Sequence, residues 1–230
     1  MTALLATLLG LLIGPSLHSV AVQAGADLPL RPHLLSCPRD GHTSYGIQCS
    51  CGRSRTRELL TALLTGGGMG VVTAAIGANP LLPGHLLMVA FTAILIVTDL
   101  DHFRIPNRIL YPGTGLAVAA LAIGAAVAGE MGALWRGLAG GLAYLALFLS
   151  VYLAARGQGF GFGDVKLAFL LGVFGAFHSW QVLARALFIT ALLGGIPAIV
   201  LLAMGRSRTT FLPYGPPLIL GTWIAIAWFT

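Results

Sequence analysis

Long apolar runs alternate with short polar segments along most of this chain. A helix needs about 20 predominantly apolar residues to cross a membrane, and the pattern predicts about eight such helices. The one long polar segment, residues 23–57, is expected to be a loop. We therefore expect residues 1–230 to form a single all-α, polytopic membrane domain. The predicted spans are residues 2–22, 58–78, 84–101, 108–128, 132–154, 165–180, 182–204 and 210–229.

The composition agrees with a chain that lies largely in lipid. Hydrophobic residues make up 57% of the sequence, charged residues 9%, and the mean hydropathy is +0.90. No basic segment precedes the first span and no clear cleavage site follows it, so we interpret it as a retained helix rather than a signal peptide. The formal net charge is +6. Because the basic residues cluster at helix ends, they indicate membrane topology and lipid contact rather than nucleic-acid binding.

The basic residues predict how the bundle is oriented. Eleven of the 13 lie in alternate loops or at the span ends beside them, and an excess of Lys and Arg is typical of cytoplasmic loops. We expect these loops in the cytoplasm, both termini outside, and the protein in the plasma membrane. The eleven residues are Arg31, Arg39, Arg53, Arg55, Arg57, Arg104, Arg108, Arg156, Lys166, Arg206 and Arg208.

Three of the seven acidic residues lie in two short segments, 98–107 and 159–167, each at the end of an apolar span. Asp99 and Asp101 end the third span, and Asp164 begins the sixth. A carboxylate at the end of a membrane helix loses water, which is costly, so it is usually functional or tightly paired. Two such carboxylates can hydrolyse a peptide bond when one activates water and the other, protonated, polarises the carbonyl.

The pair that we expect to act together is Asp99 with Asp164. Asp99 and Asp101 are two residues apart and would point in directions about 200° apart on a helix. Asp164 lies on another helix, and side chains from two helices can converge. The alternative is that the aspartates cap helix ends or form ion pairs with Arg104 and Lys166.

The residues around the aspartates also have purely structural explanations. Pro106 ends one helix or begins the next, and Asn107 is a favourable N-cap for the fourth span. Gly159, Gly161 and Gly163 permit close approach of another backbone. Their spacing differs from the G-x-G-x-x-G of a dinucleotide-binding fold, and no strand–helix unit surrounds them.

Other polar side chains on the spans are expected to face the membrane interface. Lys166 should extend towards the lipid headgroups while its stem covers apolar surface. The alternative is that Lys166 helps to position Asp164. His18, His85 and His178 lie on different spans and are interpreted as interface residues rather than metal ligands.

The polar loop contains three cysteines, Cys37, Cys49 and Cys51. Its expected cytoplasmic location disfavours a disulfide. Structural zinc favours four ligands and C-x-x-C pairs, a spacing that neither cysteine segment has. A fourth ligand would have to come from Asp40 or from a loop histidine, so the cysteines are weak metal candidates.

Four segments of the chain resemble one family. D-x-D-x-x-x-I-P-N at 99–107 and G-x-G-x-G-D-V-K-L at 159–167 resemble the two active-site motifs of the type IV prepilin peptidases in order and spacing. L-L-I-G-P-S-L-H at 11–18 and P-Y-G-P at 213–216 resemble elements of that family's first and last helices.

The resemblance implies an intramembrane aspartic endopeptidase of the GxGD type. Its substrates would be type IV prepilins or pseudopilins, which lose a basic leader, and proteolysis would need no cofactor. Asp99 and Asp164 would be the catalytic residues. The motif residues implied to support them are Asp101, Pro106, Asn107, Gly161, Gly163 and Lys166.

The loop departs from the pattern of that family. Asp40 stands where the second cysteine of a C-x-x-C pair would be, and Cys49-Ser50-Cys51 is one residue too tight. In bifunctional bacterial members this region is associated with N-methylation of the mature pilin by S-adenosylmethionine. The departure argues against that second activity and leaves zinc and S-adenosylmethionine as open alternatives.

Two other classes of function also stay open. A proton-coupled transporter would carry its acids near the bilayer midplane, whereas Asp99 and Asp164 lie near the ends of their spans. An inactive scaffold for pilus assembly would keep the fold without the activity. The sequence indicates neither the pilus or secretion system served nor an oligomeric state.

The charge asymmetry predicts the result of cysteine labelling in intact cells. Single cysteines placed in 23–57, 102–108, 156–164 or 205–209 of a cysteine-free variant should be protected from an impermeant thiol reagent. A cysteine at position 130, between the fourth and fifth spans, should react and serves as the control. Labelling at position 160 from outside would contradict the predicted orientation.

Overall fold

The computed structural model describes residues 1–25, 27, 55–156, 161–204 and 213–229. This part of the chain is helical and contains no strand, which confirms the all-α prediction. The helices are α1 (Thr2–Gly25), α2 (Arg55–Ile76), α3 (Leu82–His102), α4 (Asn107–Ala128), α5 (Met131–Ala154), α6 (Phe162–His178), α7 (Trp180–Ala203) and α8 (Gly215–Phe229).

Within the described residues, six helices are long and apolar enough to cross a membrane, namely α1 to α5 and α7. The chain is a multi-pass membrane protein. Helices α6 and α8 have 17 and 15 residues. At a rise of about 1.5 Å per residue they are roughly 26 and 23 Å long, slightly less than the hydrocarbon core of a bilayer.

Consecutive helices pack as pairs, and α3 and α6 lie at the centre of the bundle. The most extensive contacts join α1 to α2, α3 to α4, α5 to α6 and α7 to α8. Helix α3 also touches α1, α2 and α8, while α6 also touches α4, α7 and α8. Met88 and Leu95 on α3 and Leu171 and Phe174 on α6 are completely buried.

Glycines bring the backbones of α5 and α6 close together. A Cβ atom on Gly140 would lie 2.1 Å from Cβ of Ala176, so any side chain there would push the helices apart. Small residues are typical of such contacts, because helices in lipid associate through close packing rather than through the hydrophobic effect. This contact fixes the C-terminal part of α6 against α5.

At the end where α6 finishes, polar side chains join three helices. The guanidinium of Arg136 on α5 donates hydrogen bonds to the carbonyl oxygens of Ala176, Phe177 and His178, which end α6. Nε2 of His178 lies 3.0 Å from Nε2 of His85 on α3. Nδ1 of His85 lies 2.9 Å from the Leu81 carbonyl oxygen, which can only accept. Neutral His85 therefore accepts at Nε2 from His178.

The interpretation of the histidines as interface residues is wrong for two of them. His18 and His85 are fully buried, and each has a polar partner within the bundle: His18 with Thr61, at 3.2 Å, and His85 with His178. A buried polar group needs such a partner to offset the loss of water. Sequence spacing alone gives no sign of partners this distant along the chain.

Candidate active site

Asp99 and Asp164 line one cavity of about 400 Å³ at one end of the bundle. Asp99 lies in the last turn of α3, and Asp164 lies in the first turn of α6. The cavity forms where α1 and α3 end, α4 and α6 begin, and the chain enters α8. Only 5% of Asp99 and 4% of Asp164 is exposed.

Each aspartate is held by one backbone amide at the start of a helix. Oδ2 of Asp164 accepts from the N–H of Gly161, at 2.9 Å, and so caps its own helix. Oδ2 of Asp99 accepts from the N–H of Gly215, at 3.0 Å, which is the first residue of α8. Among the described residues, Oδ1 of Asp164 is buried and has no hydrogen-bond partner.

The capping alternative is therefore partly realised, while the ion-pair alternative is not. Both carboxylates accept helix N-terminal amides, but in the described part of the chain neither pairs with Arg104 or Lys166. Nη1 of Arg104 lies 3.8 Å from Oδ2 of Asp27, and Lys166 donates to a different acceptor, described below. Capping uses Oδ2 of Asp164 and leaves its buried Oδ1 without a hydrogen-bond partner among the described residues.

The end of α3 turns the chain sharply after Asp99. Phe103 adopts a left-handed conformation with φ 50°, and its N–H donates to the Asp99 carbonyl oxygen, at 2.9 Å. Such a φ is uncommon for a bulky residue. The turn sends Arg104, Ile105 and Pro106 along the cavity wall.

The expected N-cap role of Asn107 is wrong. Pro106, with an extended backbone, occupies the N-cap position of α4, so Asn107 is the first helical residue and does not cap the helix. Oδ1 of Asn107 instead accepts a hydrogen bond from Nζ of Lys166, at 3.0 Å. The extension of Lys166 towards the lipid headgroups stays a prediction.

The other motif residues divide into two groups. Gly161 and Gly163 line the cavity, as do Pro106 and Asn107. Asp101 is not part of the cavity wall; its Oδ1 lies 2.9 Å from Nη2 of Arg57 on α2. Gly159 lies outside the described residues.

Sequence reasoning assigned no role to several residues of the cavity. The end of α1 supplies Ala24 and Gly25, and the segment before α8 supplies Pro213 and Tyr214. The P-Y-G-P element at 213–216 was the only sequence sign that this segment matters. It did not reveal that the Gly215 amide binds Asp99.

Metal and cofactor sites are a separate matter. Within the described ranges, no three His, Cys, Asp or Glu side chains are arranged to hold a metal ion. Cys37, Cys49 and Cys51 lie outside those ranges.

The fold and the cavity define a helical membrane protein with two buried carboxylates facing one space. Residues 86–199 match the type IV leader peptidase family. Prepilin leader peptidase/N-methyltransferases from three bacteria are similar to this chain. The Pseudomonas aeruginosa protein is 30% identical over 84% of this chain and 71% of its own length. The Aeromonas salmonicida protein is 33% identical over 74% and 56%. The Stutzerimonas stutzeri protein is 30% identical over 56% and 44%.

These matches show that the chain belongs to the type IV leader peptidase family. The chain spans between 44% and 71% of the length of these three relatives. No solved structure matches the chain significantly.

The two described glycines of the second motif should respond differently to alanine. A Cβ on Gly163 would lie 2.8 Å from Cβ of Ile105, whereas one on Gly161 would meet nothing closer than 3.7 Å. Gly163→Ala should destabilise the protein by about 1–3 kcal/mol through overpacking. Gly161→Ala, the matched control, should leave the unfolding temperature in detergent unchanged. Equal unfolding temperatures for the two variants would contradict the close approach at Gly163.

Proposed function

We propose that this protein is an aspartic endopeptidase that removes the leader from type IV prepilins or pseudopilins, with Asp99 and Asp164 as its catalytic residues. The observation that carries the proposal is the placement of two almost fully buried carboxylates on one cavity. Membership of the type IV leader peptidase family supports the substrate class.

The geometry suits general acid–base catalysis by a carboxylate pair. Two neighbouring carboxylates share a proton more readily than both ionise. The ionised member activates a water molecule, and the protonated member donates to the scissile carbonyl oxygen. The proton passes between members of the pair, so its position belongs to the pair rather than to one residue.

The backbone amides prepare the pair for this task. Gly161 and Gly215 each bind one carboxylate oxygen and so fix the side-chain orientation before the substrate arrives. Oδ1 of Asp164 is buried and has no partner among the described residues, so its capacity to accept a hydrogen bond is unused. Fixed polar groups in a site that excludes bulk water stabilise developing charge more strongly than the same groups in water.

The cavity opens at the membrane surface that the basic residues assign to the cytoplasm. Arg57, Arg104 and Arg108 all lie near this end of the bundle and belong to the loops rich in basic residues. Cleavage would therefore take place at the cytoplasmic face, in a single transmembrane domain with both termini outside.

A proton-coupled transporter is the weaker proposal. Both aspartates lie in end turns of their helices, next to a cavity that opens at one end of the bundle. Acids that relay protons through a transporter are typically near the middle of the membrane.

The catalytic pair is tested by isosteric substitution. Asp99→Asn and Asp164→Asn should each lower the rate of prepilin cleavage by at least about 10³-fold, because either change removes half of the acid–base pair. The alanine variants should be equally inactive. Cleavage is measured by the loss of leader from a Pseudomonas aeruginosa prepilin mixed with the purified protein in detergent.

Asp101→Asn is the matched control for these variants. Asp101 pairs with Arg57 and lies outside the cavity wall, so the variant should keep substantial activity. Cleavage by Asp164→Asn at the parent rate would refute the assignment, and a parent protein without cleavage activity would refute the proposed function.

Proteolysis should not depend on the three cysteines. None of the described residues that line the cavity is a cysteine, and neither cysteine segment of the sequence forms a C-x-x-C pair. Replacing Cys37, Cys49 and Cys51 by serine should leave the cleavage rate within about twofold of the parent, whereas losing one ligand of a structural zinc would cost several kcal/mol.

The same triple variant tests zinc and methylation. Bound zinc is measured in the purified parent protein, and N-methylation of the cleaved pilin is measured with S-adenosylmethionine. Stoichiometric zinc in the parent, together with loss of cleavage in the triple variant, would contradict a cysteine-independent protease. Methylation by the parent would show that the shortened loop supports the second activity.

A further inference from the structure

The segment that follows Asp99 and the helix that carries Asp164 touch at two points. A Cβ atom on Gly163 would lie only 2.8 Å from Cβ of Ile105, so the connector between α3 and α4 packs directly on the first turn of α6. One turn further along, Nζ of Lys166 donates to Oδ1 of Asn107, at 3.0 Å. The second contact joins the starts of α4 and α6.

The ammonium group of Lys166 contacts two aromatic rings in addition to its hydrogen bond to Asn107. It lies 4.9 Å from the ring centroid of Phe162 and 5.5 Å from that of Tyr111. Phe162 is one turn before Lys166 on α6, and Tyr111 is one turn after Asn107 on α4. A cation between aromatic rings gains from the negative faces of both rings, so each helix supplies part of the ammonium site.

The amides that hold the carboxylates do not set the distance between them. Gly161 binds Asp164 within α6, and Gly215 binds Asp99 from α8. Neither hydrogen bond joins the chain around Asp99 to the helix of Asp164. The contact between Lys166 and Asn107 does so, two residues after Asp164 and eight residues after Asp99.

We infer that Lys166 and Asn107 are positioning residues that hold the first turn of α6 against the start of α4 and thereby set the separation of Asp99 and Asp164. The inference rests on the proposed function, because it assigns these two residues to the geometry of the proposed catalytic pair. Neither residue is needed for proton transfer itself.

Steady-state kinetics of two single variants and their double variant test this role. Lys166→Met removes the donor and keeps an unbranched stem, and Asn107→Leu removes the acceptor at similar size. Each should lower kcat by about 10- to 100-fold, because small displacements of reacting groups have effects of this size. KM should change by less than about threefold, because the substitutions alter the geometry of the catalytic pair rather than substrate binding.

The double variant separates a shared contact from two unrelated effects. If both residues act through one contact, Lys166→Met/Asn107→Leu should be no slower than the slower single variant.

Asn107→Asp keeps an acceptor for Lys166 and should retain kcat within about threefold of the parent, as expected when the contact rather than the amide is needed. Arg156→Met removes an exposed cation after α5 at the same end of the bundle and should keep the parent kcat.

Several results would overturn the inference. They are a single variant with the parent kcat, multiplied losses in the double variant, a loss confined to KM, or an Asn107→Asp variant as slow as Asn107→Leu. If Lys166→Met fails to accumulate in membranes, the comparison of Asn107→Asp with Asn107→Leu still decides. A parent that cleaves, with an inactive Asp164→Asn variant, upholds the proposed function whatever these variants show.

Discussion

The site depends on keeping two carboxylates out of bulk water at the end of a membrane bundle. Burying a charged group is costly unless a polar partner replaces its hydration. Here the partners are backbone amides at the starts of two different helices, Gly161 before α6 and Gly215 in α8. A helix N-terminus carries unpaired N–H groups and partial positive charge, so it is a natural place for an anion. The position of α8 is therefore as important to Asp99 as its own helix.

This arrangement limits what residue 215 can be. A Cβ atom there would lie 2.8 Å from Oδ2 of Asp99, inside the space that the carboxylate occupies. Glycine lets the amide approach the carboxylate without a side chain between them. The contact spans 116 residues of sequence, and it forms only when α3 and α8 pack with one particular alignment along their axes.

At the far end of the bundle, Arg136 and the pair of His85 and His178 hold α3, α5 and α6 together. Both ends of the two central helices are therefore fixed by polar contacts.

How much of this the sequence predicts depends on the range of each interaction. The helices and their approximate ends follow from the lengths of the apolar runs. Because lipid supplies no water to hydrogen-bond the backbone, few structures other than a helix can cross it. The choice of Asp99 with Asp164 over Asp101 follows from helix geometry, and the structure places the first two on one cavity and Asp101 beside Arg57. The N-cap assignment of Asn107 failed because its side chain has a partner 59 residues away, the ammonium group of Lys166. The roles of Gly215 and His85 were missed for the same reason.

The arginines that predict the orientation also take part in the structure around the cavity. Nη2 of Arg108 donates to the carbonyl oxygens of Gln23 and Ala24, at 2.8 Å each, where α1 ends beside the cavity. These carbonyl groups lie at the negative end of the helix and need donors in a place where water is scarce. Arg57 reaches from α2 to Asp101 at the end of α3. The arginines from which the orientation is predicted therefore also lie beside helix ends that need donors or ion-pair partners. The same charges join the helices from which the site is built.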